Sequence, residues 1–237
     1  MIEIQGVRRT FEGKVAVDGL DLAIRDGEIF GFLGPNGAGK TTTIKMIAGL
    51  LRPDRGAVLV NGIDVRREPI RAKQELAYVP DNPDVYEKLS GAQFVNFVAD
   101  AFRVPRDVRA PRVAELAAAF ELTAELGNLI ESYSHGMRQK IVLIAALTHA
   151  PRAWVLDEPL VGLDPRSAFT LKTMMRRHAD DGHTVFFSTH ILEVAEKLCD
   201  RVGIIAQGKL VACGSLAELR SRPDESLESL FLELTER

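Results

Sequence analysis

Cysteine is nearly absent from this 237-residue chain: Cys199 and Cys213 are the only two, and they lack CxxC spacing. That excludes a disulfide-built secreted scaffold and points to a reducing compartment, with both thiols acting as small core hydrophobes. An excess of one charge is also missing. The formal net charge is −3 and no block of Lys and Arg stands out, so the chain has no electrostatic footprint for a nucleic-acid backbone, and nucleic acid is not expected as a partner. No apolar run approaches the length that spans a bilayer, and the opening MIEIQGVRRTFEG is charged and alternating, without the apolar stretch of a signal peptide. The expectation is a chain neither secreted nor membrane-spanning by itself. Internal repeats and low-complexity linkers are lacking as well, which argues against several independent domains.

What is present is enough apolar sequence for a sizeable core. With 46% hydrophobic and 27% charged residues, the length suits one large domain, or one domain with an insertion. Strand-like alternation fills the first 33 residues, with Asp26-Gly27 as a hairpin-type turn between apolar runs. A helical pattern follows in TTTIKMIAGLL, then a strand in AVLVNG. From about 85 to 130 the pattern is helical throughout, in GAQFVNFVADAF and RVAELAAAFEL. Beyond it come helices near 135–149, 166–179 and 191–198 between the strands AWVLDE and TVFFSTH, and a final hairpin in RVGIIAQGKLVACG. Strand and helix alternate, so the fold class expected is α/β: a mainly parallel sheet covered on both faces, with an N-terminal β part and a helical insertion.

The run GPNGAGKTT, comprising Gly34, Pro35, Asn36, Gly37, Ala38, Gly39, Lys40, Thr41 and Thr42, fits GxxxxGK[ST] and lies between an expected strand and an expected helix. Glycines there let successive backbone N–H groups turn inward as an anion nest, and the following helix adds its positive N-terminal end. Lys40 supplies a cation for β- and γ-phosphates, and the Thr41 hydroxyl suits Mg²⁺. The strand AWVL ends in Asp157-Glu158, at the carboxyl end where ligands bind in such sheets. Asp157 is the candidate second Mg²⁺ ligand, and Glu158 the candidate to polarise an attacking water. The histidines His178, His183 and His190 lack zinc-site spacing, so a metal-hydrolase reading is set aside. Locally, YSHGMRQK is a helix start with Ser134 as N-cap.

Taken in order, GPNGAGKTT, YSHGMRQK, WVLDEP, GLDP and STH resemble the Walker A, signature, Walker B, D-loop and switch-histidine segments of the nucleotide-binding subunit of ATP-binding cassette (ABC) transporters. The resemblance covers nearly the whole chain and implies the P-loop NTPase fold: a core over 1–84 and 131–220, a helical subdomain over 85–130 and a C-terminal helix over 221–237. It implies ATP and Mg²⁺ as cofactors. Phe11 matches the family's adenine-stacking aromatic, although a lone Phe also fits a core position. Ser134 and Gly136 would bind the γ-phosphate of ATP held by a second nucleotide-binding subunit, identical or not. His190 would contact the γ-phosphate and hold Glu158 in line, and Asp164, locally a turn residue, would be a subunit-interface residue. Where the family usually carries glutamine, this chain has Asp81, either a Mg²⁺ contact or only the opener of an Asp-Asn-Pro turn.

The Tyr-Ser-x-Gly-Met form of the signature resembles single-domain subunits of exporters. The function implied is therefore ATP hydrolysis that powers transport, in the direction of export, through a separate integral membrane permease. The chain would sit peripherally on the cytoplasmic face of the membrane, and the segment from Pro83 to about Ile130, through a groove lined by residues such as Val85, Tyr86 and Leu89, would dock the permease; the alternative is that these residues fill the insertion's core. A soluble assembly or remodelling factor built on the same cassette is the alternative, and a nucleotide-gated module without turnover a third. The apolar residues of SLESLFLELTER, at helical spacing, would pack on the cassette, on a dimer mate or on a regulator.

Overall fold

The computed structural model describes residues 1–219 and 226–235, and two sheets organise it. Strands β1 (Ile2–Phe11) and β2 (Lys14–Ile24) form a long antiparallel hairpin. Its two-residue turn, Glu12-Gly13, has positive φ at both positions, as the turn that matches strand twist requires. Strand β4 (Arg55–Val60) pairs with the other edge of β1, and the short β5 (Ile63–Asp64) pairs with β4.

The Asp26-Gly27 turn differs from its expected role. It does not close a hairpin but carries the chain from β2 to β3 (Ile29–Leu33), which lies in the second sheet. The physical reason is burial: β2 alternates buried and open positions, whereas all five residues of β3 are buried and need cover on both faces. The second sheet adds β6 (Leu76–Val79), β7 (Ala153–Asp157), β8 (Thr184–Thr189), β9 (Arg201–Ala206) and β10 (Lys209–Gly214), in the order β10-β9-β3-β8-β7-β6. Every pairing is parallel except that of β9 with β10.

Helix α1 (Lys40–Ile47) follows β3 and buries Ile44, Met46 and Ile47 in the layer between the sheets, in the same core as Val7, Val58, Phe30 and Phe186. Phe30 and Phe186 stack at 6.0 Å in that layer. Helix α2 (Pro69–Gln74) leads into β6. The insertion consists of α3 (Gly91–Ala101) and α4 (Arg106–Ala119). A capping box starts α3: Ser90 Oγ accepts from Gln93 N at 3.2 Å, and Gln93 Oε1 accepts from Ser90 N at 2.8 Å. The buried Arg109 of α4 donates to the Asn96 and Val104 carbonyls and pairs with Asp100, which locks the two helices together. Helices α5 (His135–Leu147) and α6 (Pro165–Asp180) share the core on the other face of the main sheet with Leu156 and Phe187. Helix α7 (Leu192–Leu198) precedes β9, and α8 (Leu216–Leu219) follows β10.

Helix α9 (Leu227–Thr235) buries Leu227 and Leu230 against Leu33, Ala195, Val202 and Ile204 of its own chain. Of the expected C-terminal helix, residues 221–225 and 236–237 lie outside the described residues. Val85 and Leu89 pack into the core that the insertion shares with α5, leaving Tyr86 exposed and its ring edge-on to Phe97 at 5.5 Å. An apolar groove lies between core and insertion, where Leu50, Tyr78, Phe94, Val98, Phe102 and His149 line it.

Candidate nucleotide site

The loop between β3 and α1 is shaped by Gly34 and Gly39, where a Cβ would run into backbone oxygens. Gly39, the N-cap of α1, has φ 112°, and a Cβ there would stand 2.6 Å from the Ala16 carbonyl oxygen. No side chain caps α1, so its first amides and its dipole remain for an anion. Lys40 Nζ donates to the Gly34 carbonyl at 2.6 Å and reaches that of Pro35 at 3.3 Å. Burial pushes the Lys40 ammonium below its ordinary range, while the carboxylates of Glu158, Asp157 and Asp81 push the other way.

Across the cleft, Asp157 ends β7 directly opposite Ser188 of β8. Ser188 Oγ donates to Asp157 Oδ1 at 2.6 Å and accepts from Glu158 N at 3.0 Å, so one hydroxyl sets both acidic residues. Glu158 turns off the strand end with φ 47°, a left-handed conformation that a non-glycine residue holds only when its surroundings impose it. Its carboxylate Oε2 lies 3.0 Å from Nδ1 of His190 and remains a buried acceptor without a hydrogen bond. Burial raises the Asp157 pKa; the hydrogen bond from Ser188 and the Thr41 hydroxyl oppose that, and the negative charges of Asp81 and Glu158 add to it.

These residues fit Mg²⁺. Asp157 Oδ2 is buried without a hydrogen-bond partner, the Thr41 hydroxyl acts on the same carboxylate, and Asp81 lies within its electrostatic reach. All are hard oxygen donors, and three of them leave positions for water and phosphate oxygens, the mixed shell Mg²⁺ prefers.

Pro35, Asn36, Gly37, Gly39, Lys40, Thr41, Thr42, Asp81, Asp157 and Glu158 line one cleft, and His190 joins through Glu158. Gly34 and Ala38 are buried beneath it. Three further sequence candidates are not among the lining residues either. Phe11 sits exposed beside the β1–β2 turn, while Ser134 and Gly136 lie at the start of α5. Ser134 Oγ caps that helix by accepting from Met137 N at 3.3 Å. At Gly136 a Cβ would meet the Gly162 carbonyl oxygen at 2.7 Å, which explains why glycine stands there.

Two lining or orienting residues escaped the sequence reading. Ser188 stood in the quoted STH, but only pairing of β7 with β8 places it on Asp157. Ala16 lines the cleft from a bulge of β2, between the pairs Arg9–Val17 and Thr10–Val15, a position with no sequence signal of its own.

A family model described as ABC transporter matches residues 17–161. The linearmycin resistance ATP-binding protein LnrL of Bacillus subtilis is 36% identical over 222 residues, covering 94% of this chain and 71% of that protein. The daunorubicin/doxorubicin resistance ATP-binding protein DrrA of Streptomyces peucetius is 38% identical over 220 residues, covering 93% of this chain and 67% of that protein. Among solved structures, an ATP-binding subunit of an ABC transporter superposes with a TM-score of 0.94 at 31% identity, covering 99% of both chains. The fold is also that of the dimeric cassette MJ0796 with ADP and Pi, at a TM-score of 0.83 and 22% identity over 91% of this chain and 99% of that one.

Proposed function

The chain belongs to the ABC transporter family as one of its ATP-hydrolysing subunits, and we propose that it powers export through a separate membrane permease by closing with a second cassette around ATP. The observation that carries the reading is the single cleft holding Lys40, Thr41, Asp157 and Glu158, with His190 against Glu158. Phosphates of ATP occupy the glycine loop and the N-terminus of α1, where Lys40 exchanges its loop carbonyls for β- and γ-oxygens. Thr41 and Asp157, with Asp81 beside them, would hold Mg²⁺, which when bound neutralises charge on the phosphates. Glu158 accepts the proton of the attacking water, and His190 keeps that carboxylate in line. Catalysis then rests on positioning and charge stabilisation rather than on a covalent intermediate.

Phe11 stacks on the adenine. Ser134 and Gly136, outside the cleft of their own chain, act on nucleotide held by the second cassette, identical or not. The export direction is supported by the resistance ATP-binding proteins among the relatives. We assign the groove lined by Leu50, Phe94, Val98 and Phe102 to an amphipathic helix of the permease, with the chain on the cytoplasmic face of the membrane.

Affinity purification of the chain from native membranes, identification of the bound integral protein and measurement of ATP hydrolysis by the pair test the reading. A permease whose presence stimulates hydrolysis is expected. Recovery with ribosomes or nucleic acid in place of an integral membrane protein would overturn it.

A further inference from the structure

Arg9 and Phe11 lie two residues apart on β1, so their side chains leave the same face of the strand. The Arg9 guanidinium covers the Phe11 ring, with Cζ 4.6 Å from the centroid. It is held there from behind: Arg9 NH1 donates to Asp54 Oδ1 at 2.8 Å and to the Arg52 carbonyl at 3.3 Å. Asp54 is fixed in turn, since its second carboxylate oxygen accepts from Thr10 N at 2.7 Å and its own N donates to the Arg8 carbonyl at 2.8 Å. One face of Phe11 is thus occupied, yet the residue is still 42% exposed. β1 brings the ring to within a few residues of the Ala16 bulge that lines the phosphate cleft, which leaves the face away from Arg9 for a base.

We infer that Arg9 is a positioning residue for the nucleotide base, the outer layer of a guanidinium–phenyl–purine stack. The inference rests on the reading of Phe11 as the base-stacking residue. Two effects act together. The pinned guanidinium stops an exposed phenyl ring at a hairpin end from sampling other rotamers, so less entropy is lost when a base settles on it. It also draws π-density to its own side, and the far face, less negative, stacks better on a purine.

The experiment measures dissociation constants of ATP and of inorganic tripolyphosphate, which carries the phosphates without a base, for the native chain and for Arg9→Ala, Arg9→Lys and Phe11→Ala. For Arg9→Ala the ATP constant rises about three- to tenfold and the tripolyphosphate constant stays unchanged, and Arg9→Lys recovers part of the loss. KM for ATP rises by more than kcat falls. Equal weakening of ATP and tripolyphosphate binding would assign Arg9 a purely structural role and overturn the inference. Thermal unfolding of Arg9→Lys, which keeps a cation near Asp54, checks that the hairpin is intact. If Phe11→Ala leaves ATP binding unchanged, the base-stacking reading itself falls. If Phe11→Ala loses base-dependent affinity and Arg9→Ala does not, the inference about Arg9 alone is wrong.

Discussion

Lys140 of α5 and Asp164, the N-cap of α6, form an ion pair at 2.7 Å that ties the segment carrying Ser134 and Gly136 to the one that follows Glu158. Lys140 is nearly buried, whereas Asp164 is open to solvent. Asp164 is committed three times over: its oxygens accept from Lys140, from Ser167 N at 2.9 Å and from Ser167 Oγ at 2.7 Å. The same two segments touch where the His135 ring lies against Gly162. A displacement of one segment is therefore passed to the other within a single chain.

Asp164→Ala should cost about 1–3 kcal/mol in denaturant unfolding, because it removes the cap of α6 and strands a buried ammonium. Asp164→Asn keeps the cap and should cost less. These partners hold the Asp164 carboxyl well below the usual carboxylate range. Its contribution is then complete above the unfolded-state value near pH 4 and disappears only as pH falls through the lower folded value. Equal stability of the alanine variant and the native chain would remove the pair from any structural role.

Glu158→Gln should bind ATP and lose turnover by roughly 10²- to 10⁴-fold, since the amide keeps the shape but cannot take the proton. Lys40→Ala should instead lose productive nucleotide binding, because the cation at the phosphates is gone. Nucleotide binding and steady-state hydrolysis, measured separately, distinguish the two variants. Turnover near normal in Glu158→Gln would exclude Glu158 from the chemistry.

Ser134 sits outside the cleft of its own chain, in keeping with the proposal that it completes a site on another copy or a related cassette. Mixing a Lys40→Ala chain with a Ser134→Ala chain creates dimers with one intact composite site and one doubly damaged site. Hydrolysis by the mixture should exceed the sum of the two variants alone. Activity no greater than that sum would mean that the signature segment does not act across subunits.

Two histidines outside the cleft set an acid limit on stability. Burial pushes both His149, stacked on Phe102 at 3.9 Å, and His178, stacked on Trp154 at 4.2 Å, down to about 4. The unfolded chain binds these protons near pH 6.5 and the folded one does not, so stability is full above about pH 6.5 and falls as pH drops toward 4. The loss should be on the order of 1 kcal/mol per histidine at pH 5, read from denaturant midpoints. Substituting His178 by Gln should flatten that profile, and an unchanged slope would refute its assignment as a buried neutral ring.

What was legible in the sequence was what lies contiguous along it. The glycine loop, Lys40, Thr41 and the Asp157-Glu158 pair each occupy one strand-to-loop junction, so local pattern sufficed to group them. Ser188 was not legible as a partner of Asp157, because only the pairing of two parallel strands brings them together. Asp26-Gly27 looks like a hairpin turn locally, and its true path depends on which sheet needs a fully buried central strand. The apolar groove between core and insertion was illegible for a similar reason: Leu50 and Phe94, which line it, are distant in sequence, while Val85 and Leu89 are partly buried against the core.

Asp81 stands where the sequence resemblance leads to an expected glutamine, and its position gives that difference chemical content. It lines the phosphate cleft, and its charge acts on Lys40, on Asp157 and on Tyr78, whose hydroxyl is pushed up to about 12 by burial and by the carboxylates of Asp157 and Asp81. An exposed carboxylate near a second one in the same cleft adds repulsion that a divalent cation relieves, so the pair should bind Mg²⁺ more tightly than Asp157 alone. Asp81→Ala should therefore raise the Mg²⁺ concentration needed for half-maximal hydrolysis and weaken stimulation by the permease. Asp81→Gln should keep most turnover, since an amide oxygen reaches the same metal or its water, while Asp81→Asn retains the turn-forming side chain without the charge. If Asp81→Asn and Asp81→Ala both leave the magnesium dependence and the permease-stimulated rate unchanged, Asp81 is a turn former and the metal shell is complete without it.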